Sequence, residues 1–370
     1  MEFKNNNTIV NLSNSILKHF GCETFHNTIP EIDNLLKSHK KVVVCLYDGF
    51  GKYIREIHKD KCPLIYANKV HTIESTFPPT TVAATTGFAT AKYPIENGWM
   101  SWTQYFDKYK CNIDVFRNIR TGTDEVVRER ENSVLNEMCP RVPIFSLINT
   151  VNGKKIAFDL GEMGRKETKP WSMMLHRWRI NKILKNQEQA YIYYYCTSPD
   201  HEIHVEGVES KKVGKKIAKL EKFTKKLVKA NKDTLFLVIA DHGLIDCRLL
   251  DINQFPSIKD CLVDNKPISM EKRCPTFFVK EDKKEEFVKL FNQYFSIHFD
   301  LYTREEVLEK HIFGEGIQNP QTNQFIGDFL AISRDQYCIY DSNIVSFQMK
   351  GAHAGGTKEE MEIDVSAFNI

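Results

Sequence analysis

The amino-acid sequence predicts an α/β protein built on a mainly parallel central sheet. Three short apolar runs, at 42–47, 191–196 and 235–240, are rich in β-branched or aromatic residues, which is typical of buried parallel strands. Apolar residues over 211–232 recur at spacings of three and four, which predicts an amphipathic helix. Because this helix lies between the second and third runs, it fits a β-α-β crossover, the connection that parallel strands need.

The other elements of the first half follow in order. Residues 41–48 are the first predicted strand, and Gly49 and Gly51 begin the turn after it. The segment 81–91 is rich in small residues, which would let a helix pack very close to a sheet or to a ligand. From 103 to 190 the pattern is weaker, and we expect core strands mixed with an additional cap excursion.

The pattern changes after Asp251, where a small α+β insertion is predicted. Its elements are expected in the order strand, helix, strand and helix, at 274–280, 282–295, 298–303 and 304–311. Strand-like patterning then returns at 327–332. We therefore expect a catalytic α/β core formed by 1–253 and 326–370, and an inserted α+β subdomain at 254–325.

Composition excludes several classes of protein. With 42% hydrophobic and 27% charged residues and a net charge of +3, the chain gives no indication of nucleic-acid or anionic-membrane binding. The first residues are polar and lack the apolar core of a secretory signal, and no apolar stretch approaches the roughly 18 residues of a membrane helix. Ten scattered cysteines without a C-x-x-C pair are expected to be reduced thiols. We predict a cytoplasmic protein.

Aspartate and histidine residues follow the predicted strands. In open α/β sheets the ligand crevice lies outside the carboxyl ends of the strands, so these side chains are expected to meet there. Six candidates result: Asp48, Asp200, His204, Asp241, His242 and His353. Six ligands suffice for two metal sites, and mixed imidazole and carboxylate ligation suits Zn²⁺. Two such ions about 3.5–4 Å apart would stabilise both the attacking and the leaving oxygen atoms in a phosphoryl displacement.

Taken singly, these residues also have structural interpretations. Asp48 could cap the following helix, and His353 could occupy a turn between glycines. The Asp241-His242 pair could be a satisfied hydrogen-bonded pair at a strand end. The four-residue spacing of Asp200 and His204 could be coincidental, and flanking proline and glycine residues fit a strand-to-loop placement as well as a helix.

A nucleophile is predicted where the helix of small residues begins. Pro78 and Pro79 favour an extended entry, so Thr80 or Thr81 lies at or near the helix N-terminus. A phosphate there would meet free backbone N–H groups and the positive end of the helix dipole. Each threonine could instead be a simple N-cap.

Five motifs together resemble one family. They occur at 47–51, 77–84, 199–207, 240–243 and 351–361, and they span the chain from about residue 41 to 365. In content and order they resemble the alkaline phosphatase superfamily, in its type I phosphodiesterase/nucleotide pyrophosphatase branch. The resemblance implies a three-layer αβα sandwich and an enzyme with two divalent metal ions, Zn²⁺ first and Mn²⁺ as the alternative.

The resemblance also implies roles for individual residues. One metal would be held by Asp200, His204 and His353, and the other, beside the nucleophile, by Asp48, Asp241 and His242. Thr81 is favoured over Thr80, because the family's glycine ten residues later then falls on Ala91 and its His-Gly pair on 97–98. The family's asparagine three residues after the nucleophile falls on Ala84, which leaves nucleotide specificity open.

The function implied is hydrolysis of phosphodiester or pyrophosphate bonds, in small phosphodiesters or nucleotides, through a covalent threonine intermediate. One alternative is a phosphomonoesterase or phosphotransferase on the same scaffold, which an extra cation near the site would favour; Lys52 and Lys92 are candidates. Another alternative is a nucleic-acid-binding protein that uses the Lys-rich helix at 211–232. Those lysines are explained as well by the solvent-exposed face of a helix that connects two parallel strands.

Overall fold

The computed structural model describes residues 6–128, 133–161, 170–344 and 349–370. Its strands are β1 Lys41–Tyr47, β2 Lys69–Glu74, β3 Thr103–Phe106, β4 Cys111–Asp114, β5 Ile119–Arg120, β6 Ala157–Asp159, β7 Ala190–Cys196, β8 Leu235–Ile239, β9 Ile245–Asp246, β10 Arg248–Asp251, β11 Ser269–Glu271, β12 Cys274–Phe277, β13 Phe299–Thr303, β14 Phe329–Ser333, β15 Tyr337–Tyr340, β16 Gly351–Ala352 and β17 Glu362–Phe368.

The helices connect these strands and cover the sheet. They are α1 Ile9–His19, α2 Pro30–Leu36, α3 Lys52–Ile57, α4 Pro63–Ala67, α5 Thr81–Thr90, α6 Pro94–Asn97, α7 Val134–Met138, α8 Ile144–Val151, α9 Pro170–Asn186, α10 Asp200–Glu206, α11 Lys211–Ala230, α12 Pro256–Cys261, α13 Lys284–Phe295, α14 Arg304–Glu309, α15 Thr322–Ile326 and α16 Lys358–Met361. Ile252–Gln254 and Glu281–Lys283 form short 3-10 helices. None of the helices in the described ranges is long and apolar enough to cross a membrane.

The central sheet has six strands in the order β2-β17-β8-β1-β7-β6. Strands β6, β7, β1 and β8 are parallel, and β17 runs antiparallel to both β8 and β2. Every residue of β7 and β8 is buried, as is β1 from Val42 onward, so helices cover both faces of the sheet. The predicted α/β class and mainly parallel sheet are therefore confirmed.

The predicted helix of small residues is α5, and it is almost entirely buried. Its small side chains let α1 approach closely: the Ser13 hydroxyl donates to the Phe88 carbonyl at 2.5 Å, and a Cβ on Gly87 would lie 3.2 Å from the Val10 side chain. Thr80 is the N-cap residue, and the helix ends at Ala91 in the left-handed conformation (φ 55°). Ala91 is thus an alanine in a conformation that favours glycine, the residue the family resemblance places there.

A second, four-stranded sheet has the order β11-β12-β14-β13 and packs on α13. A separate cluster of buried phenylalanines fills this unit: Phe277, Phe287, Phe291, Phe295, Phe299 and Phe329. The predicted sequence of strand, helix, strand and helix is present as β12, α13, β13 and α14. Strand β14, which we expected in the core, pairs with both β12 and β13, and its residues Leu330 and Ile332 belong to the main hydrophobic core. The division of the chain into domains stays a prediction.

Candidate active site

Parallel pairing of β1 with β8 brings the first group of site residues together. Leu46 lies in register with Ile239, and the chain reaches Asp48 and Asp241 two residues after these partners. One ligand atom each from Asp48, Asp241 and His242 lies within 4.8 Å of the others. The His242 Nε2 atom is 3.5 Å from Asp48 Oδ1 and 3.7 Å from Asp241 Oδ2. All three side chains are buried.

The first residue of α5 faces this cluster. Thr81 Oγ1 lies 3.4 Å from Asp48 Oδ1 and 3.3 Å from His242 Nε2. The neighbouring Thr80 hydroxyl donates instead to Glu271 Oε1 at 2.7 Å. Of the two threonines, the structure thus brings Thr81, the one that the sequence analysis favoured, to the Asp and His side chains.

The second group is Asp200, His204 and His353. Asp200 and His204 lie on α10, so the four-residue spacing is helical rather than strand-to-loop. Asp200 Oδ1 is 3.2 Å from His204 Nε2 and 3.9 Å from His353 Nε2. The ring centroids of His353 and His242 are 4.0 Å apart, so the two groups lie side by side.

The three histidines are oriented in the same way. Each Nδ1 lies within hydrogen-bonding distance of a backbone carbonyl oxygen, which fixes the tautomer with hydrogen on Nδ1 and leaves Nε2 facing the cluster. The pairs are His204 with Gly351 at 2.8 Å, His353 with Pro79 at 3.1 Å, and His242 with Gly243 at 3.1 Å. A histidine that binds a metal ion through Nε2 usually donates such a hydrogen bond from its Nδ1 atom.

Buried Asp241 Oδ2 has no hydrogen-bond partner among the described residues, and buried Asp200 Oδ1 faces the Nε2 atoms of His204 and His353 at 3.2 and 3.9 Å. Burial, together with the charges of Asp241 and Asp200, raises the pKa of Asp48 well above its usual value, and burial also raises the pKa of Asp241. Burial and the close approach of these carboxyl groups thus disfavour their charged forms, which a bound cation would favour. The residues therefore fit divalent cations, which would give these oxygens a partner.

The pair of Asp200 and His204 behaves differently. Burial disfavours the charged forms of both side chains, but their mutual attraction prevails: the pKa of His204 lies above its usual value and that of Asp200 below. Without a metal ion, a proton on His204 Nε2 would balance the Asp200 charge. A cation bound between the two side chains would take the place of that proton.

Tyr195, which the sequence analysis did not single out, positions Asp48. Its hydroxyl, on β7, donates to Asp48 Oδ2, so that Asp48 Oδ1 is left to face Thr81 and His242. Nothing in the sequence marks this residue, because it belongs to an aromatic run that is indistinguishable from a buried strand.

Replacing Tyr195 by phenylalanine is expected to weaken metal binding by about tenfold or more, because Asp48 loses the contact that orients it. Titration of the metal-free protein with Zn²⁺ measures the effect. Tyr193→Phe is the matched control: Tyr193 lies on the same strand and is buried, but its hydroxyl has no hydrogen-bond partner in the described part of the chain. Equal affinity losses in the two variants would contradict the positioning role.

The loop that carries His353 is held by a buried ion pair. Glu360 accepts hydrogen bonds from Arg273 Nε at 2.6 Å and Arg273 Nη2 at 2.7 Å, and both side chains are fully buried. The same carboxylate accepts from the Gly355 N–H and the Thr357 hydroxyl, each at 2.7 Å. The Glu360 carbonyl accepts from the Gly243 N–H at 2.8 Å. One ion pair thus organises the segments on which His353 and His242 lie.

A cleft of about 410 Å³ opens onto Thr81 and onto the second group of side chains. Thr81, Asp200, His204 and His353 line its inner end. The other walls come from the segment around β3 and β4 and from the second sheet, and include Trp102, Thr103, Asp114, Met270, Glu271 and Lys272. These six wall residues belong to none of the five motifs.

Lys272 is a cation of this cleft that the sequence analysis missed. Burial lowers the pKa of its amine, which contacts Met349 Sδ at 3.4 Å and has no acidic partner within 4.0 Å among the described residues. The cations suggested by the sequence lie elsewhere: Lys52 pairs with Glu362 at 2.5 Å, and Lys92 lies over the Phe25 ring. Lys272 belongs to the inserted segment, where no motif indicates its position.

An αβα fold with two groups of Asp and His side chains at the carboxyl edge of its sheet defines an alkaline-phosphatase-like hydrolase. The family model of type I phosphodiesterase / nucleotide pyrophosphatase matches residues 42–355. The chain belongs to this family, and its general activity is that of a phosphodiesterase or pyrophosphatase. A comparison with curated proteins finds no match.

Solved structures share the fold. Murine ectonucleotide pyrophosphatase / phosphodiesterase 5 is 16% identical, with 89% of this chain and 88% of that chain covered and a TM-score of 0.63. The human protein of the same name is 15% identical, with coverages of 89% and 87% and a TM-score of 0.65. An inactive threonine-to-alanine variant of the murine protein, in complex with AMP, is 15% identical over 89% and 87%, with a TM-score of 0.62.

Proposed function

We propose that this protein hydrolyses phosphodiester or pyrophosphate bonds of small nucleotides or related diesters, with two divalent cations and Thr81 as the nucleophile. The observation that carries the proposal is the position of Thr81 Oγ1, 3.4 Å from Asp48 and 3.3 Å from His242 at the start of a buried helix. The complex of a structural neighbour with AMP supports a nucleotide substrate.

The proposed ligand sets follow the two groups of side chains. Asp48, Asp241 and His242 would hold the cation beside Thr81, and Asp200, His204 and His353 would hold the other. Imidazole and carboxylate ligands suit Zn²⁺, with Mn²⁺ as the alternative. When bound, the cations would lower the pKa of the threonine hydroxyl and of a water molecule, and would neutralise charge on the phosphoryl group.

The chain's own residues would perform the remaining steps. The phosphate is held at the N-terminus of α5, where backbone N–H groups and the helix dipole favour an anion. Thr81 Oγ1 attacks phosphorus in line and displaces the leaving group, which gives a phosphoryl- or nucleotidyl-threonine. Hydrolysis of that ester restores Thr81 and releases the product.

Removal of divalent cations tests this proposal most directly. Dialysis against a chelator is expected to abolish hydrolysis of bis-p-nitrophenyl phosphate and of a panel of dinucleotides, and Zn²⁺ or Mn²⁺ should restore it. Elemental analysis of the active protein should give two ions per chain. Full activity in the metal-free protein would contradict the proposal.

The second candidate function, a phosphomonoesterase, is favoured by one observation, the presence of Lys272 in the cleft. A phosphomonoester carries more negative charge than a diester, so a cation without an acidic partner would stabilise it more. Lys272 could equally well bind the terminal phosphate of a nucleotide polyphosphate. In that case the enzyme would still cleave a phosphodiester or pyrophosphate bond.

Replacing Lys272 by methionine tests whether its amine binds the additional negative charge of a phosphomonoester. We expect kcat/KM for p-nitrophenyl phosphate to fall about tenfold more than that for bis-p-nitrophenyl phosphate, because only the monoester carries the second charge. Lys289→Met, an exposed position on α13, removes the same charge away from the cleft and should change neither. If wild-type protein hydrolyses the monoester far faster than the diester with every metal tested, the phosphodiesterase assignment fails.

A further inference from the structure

A second cleft lies between α9 and α11, on a different part of the molecule from the catalytic cleft. Its volume is about 330 Å³, and the two clefts have no lining residue in common. We call it the α9–α11 groove. The groove and the catalytic site are nevertheless close in the chain, since Ser198 in the groove wall is two residues from Asp200.

The floor of the α9–α11 groove is apolar. Leu220 and Phe223 of α11 form it, and the Phe223 ring packs on Tyr194 of β7 with centroids 5.0 Å apart. Met173 and Met174 of α9 form the opposite wall, and Met174 is 66% exposed. A methionine wall adapts its shape to different apolar ligands. The groove therefore offers an apolar slot that is open to solvent.

The rim of the same groove is strongly basic. Its cations are Arg177, Lys216, Lys219, Lys222 and Lys226, and none of the described residues that line the groove is acidic. Lys216 is paired with Glu202 at 2.6 Å. The other four have no acidic partner within 4.0 Å in the part of the chain that the structure describes. Adjacent like charges repel, so an anionic ligand would stabilise this rim.

The charge around the groove is far from the average of the chain. Helix α11 carries nine lysines and one acidic residue, Glu221, whose carboxylate accepts the backbone N–H groups of Leu64 and Ile65 at 2.9 and 3.1 Å. Helix α9 carries two arginines, two lysines and no acidic residue. Because the whole chain has a net charge of only +3, this concentration is a local feature.

We infer that the α9–α11 groove binds an anionic amphiphile, with a phosphate or carboxylate head group on the basic rim and an apolar chain on the methionine-lined floor. A free inorganic anion would leave the apolar floor uncovered, and a neutral apolar molecule would leave the rim charges unpaired. A nucleic acid would pair with the lysines without filling the slot. This inference does not rest on the proposed catalytic function.

Calorimetric titration with dodecyl phosphate, below its critical micelle concentration, tests the inference. We expect saturable binding of one molecule per chain, and at least about tenfold weaker binding of both inorganic phosphate and dodecyl maltoside, because each of these probes matches only half of the groove. Dodecyl maltoside that binds as tightly as dodecyl phosphate would overturn the assignment of the rim.

Lysine variants on one helix separate the groove from general basicity. The groove variant Lys219→Gln/Lys222→Gln/Lys226→Gln should lower the affinity for dodecyl phosphate by about tenfold or more. The control variant Lys215→Gln/Lys225→Gln/Lys229→Gln removes the same charge from exposed positions of α11 outside the groove, and should lower it less than about threefold. Circular dichroism and the thermal midpoint establish that both variants fold. Equal losses in the two variants would overturn the proposal.

Two further probes identify the source of the ligand. Vesicles of phosphatidylcholine with and without phosphatidylglycerol report binding to a membrane surface, and free dodecyl phosphate reports binding of a soluble amphiphile. Dependence on the three groove lysines in either assay supports the proposal. A single-stranded RNA that binds more tightly than dodecyl phosphate, and displaces it, would instead assign this face to nucleic acid.

Discussion

Thr81→Ala is expected to reduce turnover of the best substrate by at least about a thousandfold, because the proposed nucleophile is lost. Metal content should stay unchanged, since Thr81 belongs to neither group of three ligands. Thr81→Ser keeps a hydroxyl and should retain measurable activity. Single-turnover kinetics together with elemental analysis measure both quantities on the same samples.

Thr80→Ala is the matched control, because the Thr80 hydroxyl is bound to Glu271 and is directed away from the metal ligands. It should lower turnover much less than Thr81→Ala does. If Thr81→Ala retained a tenth or more of the activity, or if Thr80→Ala were the more damaging change, the nucleophile assignment would be wrong. A radiolabelled adduct trapped on Thr81 would be direct support for the covalent intermediate.

Arg273→Met is expected to lower the free energy of unfolding by about 3–5 kcal/mol, because Glu360 would remain as an unpaired buried charge. Both side chains are fully buried, so solvent does not replace the lost partner. Urea denaturation followed by circular dichroism measures the change. A loss below about 1 kcal/mol would show that the ion pair contributes little to stability.

The double variant Arg273→Met/Glu360→Met removes both charges and should be more stable than the single variant, since no buried charge is left unpaired. It would nevertheless leave the Gly355 N–H and the Thr357 hydroxyl without their acceptor. We therefore expect the double variant to recover stability but to bind metal more weakly than wild type, because the loop that carries His353 loses its support.

The sequence was sufficient for the parts of the molecule that follow local rules. Buried parallel strands must be apolar along their whole length, so β1, β7 and β8 were visible as runs. Polar residues directly after such strands meet at one sheet edge, which is why Asp48 and Asp241 could be placed together. The helical spacing of Asp200 and His204 was visible too, although the choice between helix and loop needed the structure.

Contacts between residues that are far apart in the chain could not be predicted from the sequence. Tyr195 has the composition of a core residue, and only the pairing of β7 with β1 brings it near Asp48. The Arg273–Glu360 pair joins segments that no motif connects. Lys272 became a candidate only when the second sheet was seen to form a wall of the cleft. The pattern of β14 shows that this strand is buried, but it does not show which strands it pairs with.

The position of β17 has a consequence for biosynthesis. This strand, the last that the ribosome completes among those described, lies inside the central sheet between β8 and β2. Until β17 is made, β8 and β2 expose unpaired edges. The segment that carries His353 directly precedes β17, so it is also made late among the described segments. A nascent chain that lacks β17 therefore exposes two strand edges that are prone to aggregate, and insertion of this one strand completes the central sheet.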